Sequence, residues 1–106
     1  MKNATANKNV ANALPPVHPG EILAEEFLSP LDMSARALAA AIDVTPARVS
    51  DIIAGRRGIT ADTALRLGRY FGTTAQLWLN LQSNYDLEIA RRELAETIEH
   101  IRPRAA

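Results

Sequence analysis

The chain has 106 residues, of which 47% are hydrophobic and none is cysteine. This length fits one domain with a modest core, and the hydrophobic content argues against global disorder. The lack of cysteine excludes disulfides and thiolate metal sites. Because no apolar stretch reaches membrane-spanning length and the N-terminus lacks the apolar core of a signal peptide, we expect a soluble cytoplasmic protein.

The formal net charge is zero, but the charges are unevenly distributed along the chain. Residues 1–33 carry two lysines and four acids, a net charge of −2, and residues 73–106 carry four arginines and five acids, a net charge of −1. Residues 34–72 carry six arginines and three aspartates, a net charge of +3. Because clustered arginines attract phosphates, this middle segment is the candidate for a nucleic-acid contact.

The first part of the chain predicts an arm followed by a helix. Residues 1–16 are rich in Asn, Ala and Lys and end in two prolines, which indicates a disordered arm. A helix is expected to begin near Pro19 or Gly20 and to end at Ser29-Pro30. Its predicted buried side carries Ile22, Leu23, Phe27 and Leu28, and its outer face carries Glu21, Glu25 and Glu26.

The stretch from Ala35 to Ala54 has the pattern of a helix-turn-helix. Ser34 caps a helix that runs to about Ile42, with the small Ala39 where two helices approach closely. The chain then turns through Asp43, where such motifs usually carry glycine, and Asp tolerates the left-handed conformation better than most residues.

A second helix is predicted from Thr45, a good N-cap, with Pro46 at its first position and Gly55 as its stop. Val49, Ile52 and Ile53 face inward, while the outward face is free of bulk, as a helix in the DNA major groove should be. An ordinary helical hairpin would share this apolar spacing but has no need of the cap, proline and turn at the same offsets.

Arg48 is the best candidate for reading a base, because a guanidinium can donate to guanine O6 and N7 together. Arg36, at the start of the first helix of the motif, and Arg56 and Arg57, after the second, are candidates for phosphate contacts. Asp51 either pairs with Arg48 or accepts from a cytosine amino group. The complete predicted DNA-binding set is Ser34, Arg36, Thr45, Ala47, Arg48, Ser50, Asp51, Arg56 and Arg57.

Two further helices are expected after the motif. Thr60 caps a helix through Phe71, and Thr73 or Thr74 starts the next, where Gln76 could complete a capping box with Thr73. The apolar positions of this last helix begin with Trp78, and a later apolar series continues to a stop at Pro103. Because this surface exceeds what one short domain can cover, we expect a dimer contact there or, alternatively, completion of the monomer core, at Leu81, Tyr85 and Leu87.

The sequence offers little for catalysis or metal binding. His18 and His100 lie far apart without companion ligands, and the glutamate pairs have ordinary helical surface spacings. No glycine-rich phosphate cradle or activated nucleophile is evident, so we expect neither a cofactor nor a metal and predict that the chain is not an enzyme.

Three motifs in fixed order carry a family resemblance. They are residues 18–23 (HPGEIL), residues 58–67 (GITADTALRL) and residues 78–82 (WLNLQ). Together they resemble the HigA antitoxins, which belong to the lambda-repressor-like, XRE-type helix-turn-helix proteins. The resemblance covers roughly Val17 to Pro103.

The resemblance implies an all-α, five-helix domain over residues 17–83, followed by a helical C-terminal extension over residues 84–106. It also implies a homodimer that binds operator DNA, represses its own operon and neutralises a HigB-like toxin, a RelE-like ribonuclease that cuts messenger RNA. Because such toxins are basic, the acidic face with Glu21, Glu25 and Glu26, or the acidic C-terminal stretch, is the expected toxin contact.

Two other classes of function stay open on sequence alone. A free-standing transcriptional repressor would have the same DNA-reading surface but no toxin partner. A protein-interaction module would keep the fold without binding duplex DNA. A small, basic, RelE-like protein in the neighbouring reading frame would favour the antitoxin.

Overall fold

The computed structural model describes residues 14–105, which form five helices and no strand, as the sequence predicts. The expected disordered arm, residues 1–16, lies outside the described residues except for its last three. None of the helices described combines the length and the apolar character needed to cross a bilayer. The helices are α1 (an α-helical turn Pro19–Ile22 continued by Leu23–Leu28), α2 (Ala35–Ile42), α3 (Pro46–Ile53), α4 (Ala61–Phe71) and α5 (Ala75–Glu99).

The second part of α1 is a π-helix, which the sequence pattern did not predict. The Ser29 amide donates to the Ala24 carbonyl five residues earlier at 2.9 Å, the hydrogen bond that defines this helix type. Leu23 and Leu28 are buried and Phe27 packs against the core, as expected from their spacing. Apolar spacing over six residues does not separate a π-helix from an α-helix, and the difference therefore appears only in the structure.

The core lies where the five helices meet. α1 packs against α3 and α5, α2 against α3 and α4, and α4 against α5. Trp78 is fully buried, and Phe27 lies against both Trp78 and Phe71 with ring centroids 4.9 Å apart in each pair. The other buried hydrophobic residues are Leu23, Leu28, Leu38, Ala39, Ile42, Val49, Ile52, Ile59, Ala64 and Leu67.

α1 and α3 approach each other closely at Gly20. A Cβ atom added at Gly20 would lie 1.8 Å from the Ile52 carbonyl oxygen, so no other residue fits there without moving a backbone. The glycine therefore sets the spacing between α1 and the motif's second helix. Ala39, fully buried on α2, is the small residue expected in the packed face of the motif.

The junction of α4 and α5 differs in detail from the prediction. Thr74 is the N-cap of α5, its Oγ1 accepting from the Leu77 amide at 3.0 Å. The Thr73 hydroxyl instead accepts from the Trp78 indole N–H at 2.8 Å, and Gln76 donates to Asn80. The predicted capping box between Thr73 and Gln76 is therefore wrong, because the buried indole needs the Thr73 oxygen as its acceptor.

α5 is one uninterrupted helix of 25 residues. The predicted division between residues 83 and 84 falls inside it, so the C-terminal extension continues the last helix of the domain. The helix ends at Glu99, before the expected stop at Pro103. Beyond Tyr85 it carries exposed apolar side chains at Leu87, Leu94 and Ile98.

His18 caps the start of α1. Its Nδ1 accepts from the Gly20 amide at 2.9 Å, and its ring meets the Tyr85 ring edge-on with centroids 4.8 Å apart. Burial lowers the pKa of His18, against an opposing effect from the Asp86 carboxylate on α5. Since Nδ1 can accept only when it is unprotonated, the cap also requires the neutral ring.

We therefore expect the free energy of unfolding to decrease as the pH falls from about 7 to about 5. The folded-state pKa of His18 lies below the unfolded one, so the unfolded chain takes up the proton first. The stabilisation from the neutral ring is complete above the unfolded pKa and is lost as the pH falls from there through the folded pKa. Urea unfolding across this range should show a weaker pH dependence for His18→Gln.

His100→Gln is the comparison variant, because the other histidine lies exposed at the end of α5, where its Nδ1 lies 2.7 Å from the Glu96 carbonyl of the same helix. The pH dependence that His18→Gln removes should remain in this variant. Equal pH dependence in the wild type and His18→Gln would contradict the assignment of the cap.

Candidate nucleic-acid interface

The turn between α2 and α3 has the backbone expected of a helix-turn-helix. Asp43 adopts the left-handed conformation, with φ 60° and ψ 51°, as predicted for this position. The Val44 amide donates to the Ala39 carbonyl at 3.0 Å, which closes the end of α2. The chain therefore turns within three residues, and α3 packs against α2.

α3 begins as the sequence indicates. The Thr45 hydroxyl accepts from the Arg48 amide at 3.2 Å, and Pro46 occupies the first helical position. Val49 and Ile52 are almost completely buried and fix one face of the helix to the core. The opposite face presents the small exposed side chains of Ala47 and Ser50.

Arg48, the predicted base-reading residue, is held by an aspartate on another helix. Its Nη1 lies 3.0 Å from Oδ1 of Asp62, in the first turn of α4, and 30% of the Arg48 side chain stays exposed. Arg66 Nε donates to the same oxygen at 2.7 Å. Hydrogen bonds from Arg66 and, to a lesser degree, Arg48 hold the pKa of the Asp62 carboxyl below its usual value.

Arg66 in turn fixes the end of α2. Its Nη1 donates to the Ile42 carbonyl at 2.9 Å and to the Asp43 carbonyl at 3.1 Å. Asp62 and Arg66 thus connect the last turn of α2 with the first turns of α3 and α4. The spacing of Asp62 and Arg66, four residues apart, was readable as a helical ion pair. The bond to Arg48 joins residues 14 positions apart and required the fold.

Asp51 does not pair with Arg48, which was one of its two expected roles. Its Oδ1 accepts from Arg56 Nη2 at 2.9 Å and from Arg56 Nε at 3.2 Å. The reason is the chain turn after α3, where the Arg56 and Arg57 amides both donate to the Asp51 carbonyl and bring Arg56 back onto the helix. The pair lies on the surface, with 66% of the Arg56 side chain exposed.

The remaining residues of the predicted DNA-binding set lie at the two ends of the motif. The Ser34 hydroxyl caps α2 by accepting from the Ala37 amide at 3.0 Å, and Arg36 is exposed in the first turn. Arg57 is exposed in the turn that follows α3. The next stretch is held by Gln82 of α5, whose Oε1 accepts from the Ile59 amide at 2.7 Å.

The other two predicted surfaces lie on α1 and α5. Glu21, Glu25 and Glu26 are all exposed on α1. The predicted dimer residues divide into two kinds, because Leu81 packs against the core and Tyr85 contacts His18. Leu87 remains 50% exposed.

Several known proteins are similar to this chain. The family model described as Helix-turn-helix matches residues 23–78. Virulence-associated protein I of Dichelobacter nodosus is 57% identical over 82 residues, which are 77% of this chain and 76% of that protein. Antitoxin HigA-1 of Vibrio cholerae serotype O1 is 38% identical over 88 residues, 83% of each chain.

A solved structure extends the match to the backbone. The Pseudomonas aeruginosa antitoxin HigA, determined with the higBA promoter, superimposes with a TM-score of 0.82 and 53% sequence identity, over 85% of this chain and 99% of that one. The chain belongs to the HigA antitoxins. The region matched by the family model includes α2, α3, Asp62 and Arg66.

Proposed function

We propose that this protein is an antitoxin that binds operator DNA to repress its own operon and neutralises a HigB-like, RNA-cleaving toxin. The observation that carries the proposal is the similarity to HigA with the higBA promoter, which covers 85% of the chain. The exposed small side chains of α3 and the arginines around them support the DNA-binding part. The antitoxin would be the non-catalytic member of the pair and would act in the cytoplasm, where operator and messenger RNA are found.

In this proposal α3 enters the major groove and Arg48 reads a base. Arg36, Arg56 and Arg57 hold phosphates on either side. The small residues Ala47 and Ser50 let the helix approach the base edges. Ser34 and Thr45 already use their hydroxyls as helix caps, so their contribution would be to place the first amides of α2 and α3 toward the DNA.

Replacing Arg48 by alanine should weaken operator binding by about 1–3 kcal/mol and relax the preference at one base pair. Arg57→Ala is the matched control, since loss of a phosphate contact should weaken all duplexes alike and reduce the salt slope by about one unit. Titrations of cognate and scrambled duplexes at several salt concentrations measure both effects. An unchanged base preference in Arg48→Ala would contradict the base-reading role.

Two-fold pairing of the chain would place two copies of α3 on half-sites about 34–36 Å apart, or a multiple of that. Of the residues expected at the contact, Leu81 and Tyr85 pack within the monomer, and Pro16, Val17 and Ile22 line a groove with them. Leu87 and the exposed apolar residues after it on α5 are therefore the positions that we assign to the dimer contact.

A dimer of this kind should be disrupted by Leu87→Glu, because the new charge would be buried in an apolar contact. Sedimentation at micromolar concentration without DNA should show a dimer for the wild type and a monomer for the variant. Leu65→Glu is the control, since Leu65 is also exposed but lies on α4. A wild-type chain that sediments as a monomer would refute the assignment.

The toxin is expected to meet a preformed surface, because the antitoxin helices are capped and packed without a partner. We assign the contact to the acidic face of α1, with Glu21, Glu25 and Glu26 exposed on it. The acidic residues near the end of α5 are the second candidate surface. Attraction between these charges and a basic toxin would act chiefly on the rate of association.

Reversing the three α1 glutamates to lysine should slow association with the co-expressed product of the neighbouring gene more than it speeds dissociation. The comparison variant reverses Glu93, Glu96 and Glu99 instead, which tests the second surface with the same change of charge. A neighbouring gene product that neither kills cells alone nor co-purifies with this chain would leave the free-standing repressor as the function.

A further inference from the structure

We propose that Asp62 is a positioning residue that sets the DNA sequence specificity of this protein by holding the Arg48 guanidinium from behind. The inference rests on the proposed DNA-binding function and deepens it. Asp62 was not part of the predicted interface. It lies on α4, outside the two helices of the motif, yet it pairs with arginines of two different helices, Arg48 on α3 and Arg66 on α4.

The geometry leaves Arg48 able to donate to a base. A guanidinium has five N–H groups, and only Nη1 of Arg48 donates to Asp62. Two donors are needed to contact guanine O6 and N7 together, and Nε and Nη2 provide a free pair on another edge. An arginine held in one orientation loses less side-chain entropy when it binds, so the correct base gains most from the restraint.

The carboxylate that holds Arg48 is itself anchored. Arg66 donates to the same Asp62 oxygen and to two carbonyls at the end of α2, so that Asp62 is connected to the backbone of the motif. The pair of Asp51 and Arg56 differs in this respect, because both partners belong to α3 and the turn that follows it.

The negative charge of Asp62, like its contact with Arg48, favours the correct operator over other duplexes. More than half of its side chain is exposed, at 55%, beside the surface that we assign to DNA. A carboxylate there repels phosphates of any duplex, which weakens non-specific binding. On the correct operator the positioned Arg48 offsets this repulsion. Both effects increase the ratio of specific to non-specific affinity.

The test compares Asp62→Asn with Glu88→Gln, two variants that each remove the charge of a carboxylate paired with arginines. Glu88 lies on α5, outside the residues that we assign to DNA. Binding is measured at one salt concentration to the operator, to a scrambled duplex, and to an operator changed at the base pair where Arg48→Ala loses its preference. Asp62→Asn should lower discrimination at that base pair about tenfold and raise affinity for the scrambled duplex a few-fold. Glu88→Gln should leave discrimination at that base pair within about twofold of the wild type.

A double variant separates positioning from general destabilisation. In the Arg48→Ala background, Asp62→Asn should raise the affinity for operator and scrambled duplex alike, because only the phosphate repulsion is left to remove. A general structural defect would instead weaken binding to both. Should thermal melting show Asp62→Asn partly unfolded, Asp62→Ser removes the same charge while keeping a side chain suited to the start of a helix. If a folded Asp62 variant discriminates at that base pair as well as the wild type does, the inference is overturned and the proposed function stays intact. If the wild-type chain binds operator and scrambled duplex equally, both are overturned.

Discussion

The orientation of α3 depends on how the chain leaves α2 at Asp43. A left-handed residue there turns the backbone sharply, and a residue with a Cβ atom does so at some cost in free energy. Arg66 stabilises the turn because one of its nitrogens donates to the carbonyls of Ile42 and Asp43 together. The turn is therefore held by a side chain of α4 as well as by its own backbone hydrogen bonds.

Packing in the core fixes the orientation of the exposed face of α3. Val49 and Ile52 fix the inner side of α3, and Gly20 brings α1 against the Ile52 carbonyl so that the helix is packed from a second direction. With its inner side fixed in this way, the outer side of α3 has little freedom to rotate. The packing behind α3 therefore determines which side chains the helix exposes. A face that is already fixed in this way needs little reorganisation on binding.

The sequence predicted those features of the fold that are decided locally. The caps Ser34, Thr45 and Thr60 and the left-handed Asp43 occur as expected, because each depends on residues within one turn of it. The π-helix of α1 was not predicted, since its apolar spacing is shared with an α-helix. The capping box at Thr73 was wrong because a tertiary partner, the Trp78 indole, competes for the hydroxyl.

In the candidate site, too, the sequence predicted only what depends on neighbouring residues in the chain. Helical periodicity placed Arg48 on the outer face of α3, but the distance from Arg48 to Asp62 is set by the packing of α4 and has no periodic signature. Periodicity likewise identified an apolar series on α5 without indicating whether its partner belongs to the same chain. For Tyr85 the structure supplies a partner in His18, and for Leu87 it shows an exposed side chain.

The ion pairs change how the net charge of the middle segment is interpreted. Residues 34–72 have a net charge of +3, which is modest for a DNA-binding segment. Two of the three aspartates in that segment pair with arginines on or beside α3, so the acids lower the general attraction to phosphates without removing the arginines from the surface. A weak general attraction makes each base contact a larger share of the binding free energy. A small repressor must find one operator among many competing sites, and limiting its general electrostatic attraction to DNA is a physical route to specificity. The paired acids and arginines around α3 limit that attraction.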